Sequence, residues 1–289
     1  MSDNLRGAAW ILASGVAATC MMLAVRGASG AVHPFQIAFC RFLVGFLLVL
    51  PIILSAGRAA MVTERLPLHV LRGTVGIISI VMSFYAMALL PLVTAAVLFF
   101  TSPLFVTLLA IPMLREPMDV GRVGATLCGF LGTAVVLGFD PEGFRPAMLL
   151  ALGAAMLLAV SLILGKKLAV TERPRTILFY FMAVTVVGSA APAAYVWETP
   201  NAQEILLLGL VGVFATARAY CDIRGFAVAD ATFVAPFSYL RIILVGIAGY
   251  VLFAEVPTGS ALLGAGIIVV STLYIAEREA RRGPAGAQM

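Results

Sequence analysis

The chain has 289 residues, 62% of them hydrophobic and 11% charged, with a formal net charge of +5 and a mean hydropathy of +1.07. So few charges cannot cover a soluble domain, and no basic domain exists through which the positive balance could bind nucleic acid. The composition instead supplies, almost end to end, runs of about 20 apolar residues, the length that crosses a bilayer as a helix.

In chain order the runs fall at about 6–25, 34–56, 71–90, 92–113, 120–138, 147–165, 175–196, 206–228, 232–253 and 258–276. Stretches such as Phe42–Leu54 and Ala147–Leu164 are apolar without alternation. Backbone groups in lipid must bond within such a segment, so these are helices, and a β-barrel is excluded. Arg6 precedes the first run, but no small-residue cleavage site is followed by a soluble mature domain, so the run reads as a retained helix. Ten spans and their short connections use up the length and leave no room for a soluble catalytic domain.

Loop charge sets the orientation. With a cytoplasmic N-terminus, the inner side carries Arg6, Arg58, Arg65, Arg72, Arg115, Arg122, Lys166, Lys167, Arg173, Arg175, Arg278, Arg281 and Arg282. The outer side carries only Arg26 and Arg145. The positive-inside rule therefore predicts that both termini are cytoplasmic, which an even number of spans requires. Tyr195 and Trp197 close the seventh span as an outer aromatic belt would.

The ten spans divide into two sets of five. Pro34 and Phe39 recur 140 residues later as Pro174 and Phe179. After a one-residue slip, Ala88, Ala96, Val106 and Glu116 recur as Ala227, Ala235, Val245 and Glu255. In each set the third and fourth spans are joined by a minimal turn, at Leu90–Pro91 and at Ala229–Asp230, and the fourth ends at a glutamate near a proline, Glu116–Pro117 and Glu255–Val256–Pro257. Five is odd, so the second set crosses in the opposite sense. The expected fold is an all-α polytopic membrane protein of two inverted five-helix repeats, residues 1–142 and 143–289. That layout lets two halves rock about a midplane site.

The segments Arg72–Pro117 (RGTVGIISIVMSFYAMALLPLVTAAVLFFTSPLFVTLLAIPMLREP) and Ala217–Pro257 (ARAYCDIRGFAVADATFVAPFSYLRIILVGIAGYVLFAEVP) resemble the two repeats of the drug/metabolite transporter superfamily, EamA type. The size and layout are similar to those of bacterial amino-acid exporters of the YddG type. The Ala235–Arg241 segment is similar to that of relatives that carry carboxylates, S-adenosylmethionine or riboflavin. The resemblance implies a central cavity lined by spans 1–4 and 6–9, with spans 5 and 10 peripheral, no cofactor and no ATP.

Charges inside spans mark candidate sites, since an arginine at a helix centre costs roughly 2.5–3.5 kcal/mol to insert. Arg41, Arg218, Arg224 and Arg241 lie within spans, and Asp222 is the one clearly intramembrane acid. Arg218 and Asp222, four apart, share a helix face, either as a self-satisfied pair or beside a cavity. Arg224 is set to snorkel to the inner interface. Arg41 and Arg241 have no local partner; either they bond to the other half, or they attract a carboxylate, which a guanidinium holds bidentately. Tyr85, Phe99, Phe100, Tyr180 and Tyr239 recur near one depth, Ser79 and Ser83 share a face, as do Thr94 and Thr101, and Ser238 shares a face with Arg241. The expected substrate-binding set is Arg41, Tyr85, Phe100, Thr101, Arg218, Asp222, Ser238, Tyr239 and Arg241.

Pro103 and Pro236 interrupt the fourth and ninth spans. Gly121, Ala125, Gly129 and Gly132 in the fifth span, with Ala261 and Ala265 in the tenth, suit close packing, within one copy or across a homodimer. Cys20, Cys40, Cys128 and Cys221 fall inside spans and read as packing residues, without disulfide or metal. His33 and His69 read as loop residues. No HExxH, GxSxG, Walker A or GxGxxG sequence is present, so no enzyme is expected. The expected function is an inner-membrane secondary transporter of small metabolites in a bacterial cell. An amino-acid exporter comes first, with a carboxylate, S-adenosylmethionine or riboflavin carrier of the same fold as the alternative.

Overall fold

A computed structural model describes residues 3–55, 62–114, 120–137, 145–228 and 237–281. Eleven helices account for it: α1 (Asp3–Ala28), α2 (Pro34–Leu54), α3 (Leu66–Leu89), α4 (Leu92–Phe99), α5 (Ser102–Leu114), α6 (Val120–Leu137), α7 (Ala147–Ala169), α8 (Pro174–Tyr195), α9 (Ala202–Val228), α10 (Leu240–Phe253) and α11 (Gly259–Arg281). No strand occurs among the described residues. Seven stretches are long and apolar enough to cross a membrane, counting Leu92–Ala110 as one, and α6, α10 and α11 add shorter apolar stretches. The ten expected spans are thus all present as helix.

Two local expectations change. The fourth span is two helices, broken at Phe100–Thr101, with Pro103 in the first turn of α5 rather than at the break. The carbonyls freed at the end of α4 are taken locally: Phe100 N–H donates to Ala96 O, Thr101 N–H to Leu98 O, and Thr101 Oγ1 to Leu98 O at 2.6 Å. His69 is not a loop residue. It lies in the first turns of α3, 1% exposed, because α3 begins five residues before the predicted run. Pro236, the Ala229–Asp230 turn and the Glu116–Pro117 pair lie outside the described residues.

Helix packing carries the repeat. α1 packs on α9 as α7 packs on α3, α2 on α9 as α8 on α3, and α1 on α10 as α7 on α5. α2 pairs with α8, α4 with α10, and α6 with α11. Exchanging the first five spans for the second leaves these pairings unchanged, as an inverted pair related by a pseudo-two-fold axis requires, whereas α2 on α3, α1 on α3 and α5 on α6 have no equally close counterpart among the described residues of the second five. Individual contacts obey the same exchange. A Cβ on Gly73 would overlap the Val184 side chain, and a Cβ on Gly212 would overlap that of Val44. Gly73 and Gly212 are 139 apart, and Val44 and Val184 are 140 apart. Glycine occurs at both places because only a missing side chain lets the helices approach this closely.

The small residues of the fifth and tenth spans are used inside one copy. A Cβ on Gly132 would lie 3.0 Å from Gly264 O, and one on Gly264 2.6 Å from Gly132 O, so α6 and α11 meet backbone to backbone. Gly129 accommodates Leu104 of α5. This pair stands to one side, in contact with α4 and α5 but not among the strong partners of α1, α2, α8 or α9.

The apolar packing is uneven along the bundle. One cluster joins Met21, Val25, Ala38, Phe42, Phe84 and Leu208, and a second joins Leu90, Val93, Leu98, Val136, Met148 and Ile268. All lie in the half where α1, α3, α6 and α10 end and where α2, α4, α7, α9 and α11 begin. In the opposite half every residue of α8 from Ile177 to Val184 is partly exposed, as are Arg218 and Asp222 on α9. A continuous apolar plug therefore closes one end of the bundle; the other, looser end still buries Ile11, Ile163, Leu164 and Leu168 but leaves these faces of α8 and α9 partly exposed.

Candidate functional site

Beneath the plug, three spans bring their charges together. Arg41 comes from α2, Arg218 and Asp222 from α9, and Arg241 from the first turn of α10. Arg218 Nε lies 3.6 Å from Asp222 Oδ2, with both side chains 35% exposed. Ser14 of α1, 3% exposed, donates its hydroxyl to Asp222 Oδ1. The carboxylate is thereby fixed from two helices. Arg41 is near enough to Arg218 for their charges to repel, and Arg241 lies in the fields of Arg218, Asp222 and Tyr239. Three guanidinium groups against one carboxylate leave a formal +2 deep in the bundle. Arg41 Nε and Arg218 Nε are buried without a hydrogen-bond acceptor among the described residues. Buried cations normally pair, so this cluster is an electrostatically open site for an anionic group.

An aromatic pair adjoins the charges. The Phe100 and Tyr239 rings lie 5.1 Å apart, and the Arg241 guanidinium sits 4.5 Å from the Phe100 ring centre. Phe100 and Tyr239 are 139 apart and so are repeat mates. Mates can touch only where the pseudo-two-fold axis passes between them, which places this pair on the axis of the bundle. The charged residues break the symmetry. At the same offsets, Arg41 is matched by Phe181, Arg218 by Ser79, Asp222 by Ser83, and Arg241 by Ser102. One half of the centre is ionic. The mates of these charged residues are one aromatic residue and three serines, of which Phe181 lies against Arg72 and Ser79 donates to Ala154 O.

The structure thus gathers Arg41, Phe100, Arg218, Asp222, Tyr239 and Arg241 from the expected set. Ser238 is half-buried in the turn before α10, next to Tyr239. Thr101 is fully buried and bonded back to Leu98 O at the break in the fourth span. Tyr85 stands apart, at the plugged end: its hydroxyl lies 3.1 Å from His33 Nε2, and its ring packs against Phe35. Arg224 is exposed at the loose end, its guanidinium 5.7 Å from the Trp10 ring centre, as a snorkelling residue should be. Ser14 was not foreseeable, because one serine in an apolar helix carries no signal and its partner is 208 residues away. No metal-binding cluster of His, Cys, Asp or Glu occurs among the described residues, and all four cysteines are free.

A second polar group lies toward the loose end, outside the centre. Thr63 Oγ1 donates to Glu172 Oε1 at 2.5 Å, and His69 Nε2 is 4.0 Å from the same oxygen while its ring stacks on Tyr180 at 4.7 Å. Arg72 lies 4.5 Å from the Phe181 ring centre. A cavity of about 500 Å³ opens beside Glu172, between residues 62–65 and 171–176.

Comparison with known proteins places these features in a family. The EamA-like transporter family matches residues 5–138 and again residues 145–276. The S-adenosylmethionine uptake transporter of Rickettsia bellii is 34% identical over 279 residues, covering 95% of this chain and 96% of the relative. The riboflavin transporter of Vibrio cholerae is 31% identical, covering 96% and 95%. The pseudopaline exporter of Pseudomonas aeruginosa is 27% identical, covering 87% and 89%. A solved crystal structure aligns with a TM-score of 0.66 at 22% identity, over 96% of this chain and 98% of the other, which shows the shared fold.

Proposed function

Because the chain belongs to the EamA-like transporter family, we propose that it is an uptake carrier for S-adenosylmethionine or a close analogue. At the coarser level, it is a multi-pass protein of the bacterial inner membrane and a carrier of small metabolites. The expected amino-acid exporter finds less support than the alternative weighed beside it, since relatives of nearly full coverage are named for S-adenosylmethionine and riboflavin.

The observation that carries the reading is the two-sided centre. An S-adenosylmethionine molecule joins a carboxylate, an ammonium and a sulfonium to a planar adenine with hydrogen-bonding edges. The carboxylate matches the unpaired Nε of Arg41 and the neighbouring guanidinium of Arg241, and the cationic centres match Asp222, held by Ser14 and Arg218. The adenine matches the axial Phe100–Tyr239 pair, beside which Ser102 begins α5. Riboflavin has the ring but neither a carboxylate for the guanidinium groups nor a cationic centre for Asp222; the preference rests on this pairing of groups and not on net charge, since S-adenosylmethionine is itself a net cation. Loop charge supports cytoplasmic termini, which makes the plugged end periplasmic and the loose end cytoplasmic. The chain then divides into five-helix units at about residue 142, and no catalytic role is assigned.

Uptake of radiolabelled S-adenosylmethionine into proteoliposomes tests this directly. Saturable uptake, competed by unlabelled S-adenosylmethionine but not by riboflavin or phenylalanine, is expected. Riboflavin flux alone would select the flavin reading, and phenylalanine flux alone would restore the exporter.

A further inference from the structure

Glu255 ties the two repeats together at the plugged end. It follows α10, in the second repeat, and its partners belong to the first. Glu255 Oε1 accepts from Arg26 Nη2 at 3.1 Å, and Glu255 Oε2 accepts from Leu92 N–H, at the start of α4, at 2.6 Å. Arg26 Nη1 in turn donates to the carbonyls of Met87 at 2.9 Å, of Ala88, and of Leu90 at 3.4 Å. One carboxylate therefore gathers the end of α1, the α3–α4 turn and the end of α10, with its side chain only 12% exposed.

The backbone is bent to permit this. Ala254 has φ 53°, the one positive φ at a non-glycine residue among those described. The bend turns the chain back at the end of α10, and Glu255 N–H donates to Gly249 O at 3.1 Å. An alanine keeps a left-handed backbone only where surrounding contacts hold it, and such strain gathers at functional sites. Both apolar clusters lie in the half of the bundle that Glu255 closes.

We propose that Glu255, acting through Arg26 and the Leu92 amide, is the gating residue for the plugged end. Cargo reaches the arginine centre from that side only when α10 releases the α3–α4 turn. The proposal rests on the chain being an alternating carrier, and its test contains a readout that needs no cargo.

In a background with the four native cysteines replaced by alanine, Leu92→Cys is combined with Gly249→Cys. A Cβ at position 249 would sit 3.9 Å from Leu92 Cβ, the spacing a disulfide requires, with nothing closer than 3.4 Å to displace. Oxidation should lower uptake at least tenfold, and reduction should restore it. Oxidised protein that transports at the reduced rate overturns the proposal. Separately, Glu255→Gln is combined with Ala96→Cys, a plug position 3% exposed. Labelling of that cysteine by a membrane-impermeant maleimide from the plugged side should rise about tenfold over the same reporter with Glu255 intact. Unchanged labelling in protein of normal expression overturns it, because a purely structural cap would lower melting temperature without altering access. If the cargo itself has been misassigned, uptake is nil in every variant while the labelling contrast remains.

Discussion

Arg241→Gln separates a cargo-binding arginine from a structural one. Glutamine keeps much of the length and some hydrogen bonding but removes the charge. A hydrogen bond to a charged group contributes about 1.5–3 kcal/mol, and each 1.4 kcal/mol is tenfold in affinity, so the half-saturating concentration of a carboxylate cargo should rise about 10- to 150-fold. Partial exposure of Arg241 weakens the interaction by solvent screening, which favours the lower end, about tenfold. The substitution also removes the contact over Phe100 at 4.5 Å, worth about 0.5–2 kcal/mol. That loss acts on the protein whatever the cargo, so a ratio cancels it. The assay is competition by S-adenosylmethionine and by its decarboxylated analogue for one labelled cargo in proteoliposomes. The parent should discriminate between them, and the variant should lose most of that discrimination. Equal weakening of both competitors would refute carboxylate recognition by Arg241 and leave it a packing cation.

Asp222→Asn should lower transport and thermal stability, because Arg218, 3.6 Å away, loses its counter-charge beside two other guanidinium groups; Arg218→Leu with Asp222→Leu should recover folding in a size-exclusion profile but not flux, and recovered flux would make the pair structural only. Gly73→Ala should destabilise by about 1–3 kcal/mol, since its methyl overlaps the stiff Val184 side chain; added Val184→Ala should restore much of the melting temperature, and no rescue would refute the contact as the cause. Reporter fusions at residue 289 and in the 198–204 loop should read cytoplasmic and periplasmic respectively, and a periplasmic C-terminus would overturn the loop-charge topology.

The fold was legible because lipid leaves a chain so few options. Continuous apolar runs and a 140-residue offset sufficed to set ten spans in two inverted sets, and Pro34 and Pro174 do begin α2 and α8. The arginines and Asp222 were legible because charge in an apolar run is costly and must be answered inside the protein. Contacts between distant segments were not legible. Arg26 counted as an outer loop charge, yet it lies in the last turn of α1 and holds three carbonyls and Glu255. His69 sits before the apolar run, and only the packing of α8 shows it to be buried. The break at Phe100–Thr101 has no glycine, and its proline falls two residues late. The break coincides with the Phe100–Tyr239 contact, which only tertiary structure reveals.

The matched glycines, Gly73 with Val184 and Gly212 with Val44, have a thermodynamic consequence. In a perfect inverted duplicate, the state open to one side is the two-fold image of the state open to the other, and the two are degenerate. Any preference must then come from mates that differ, among them Arg41 and Phe181, Arg218 and Ser79, Asp222 and Ser83, and Arg241 and Ser102. A difference of about 1.4 kcal/mol among them is enough for a tenfold population bias. The residues proposed to hold the cargo would therefore also bias the resting orientation of the empty carrier, and exchanging them for their mates should shift it.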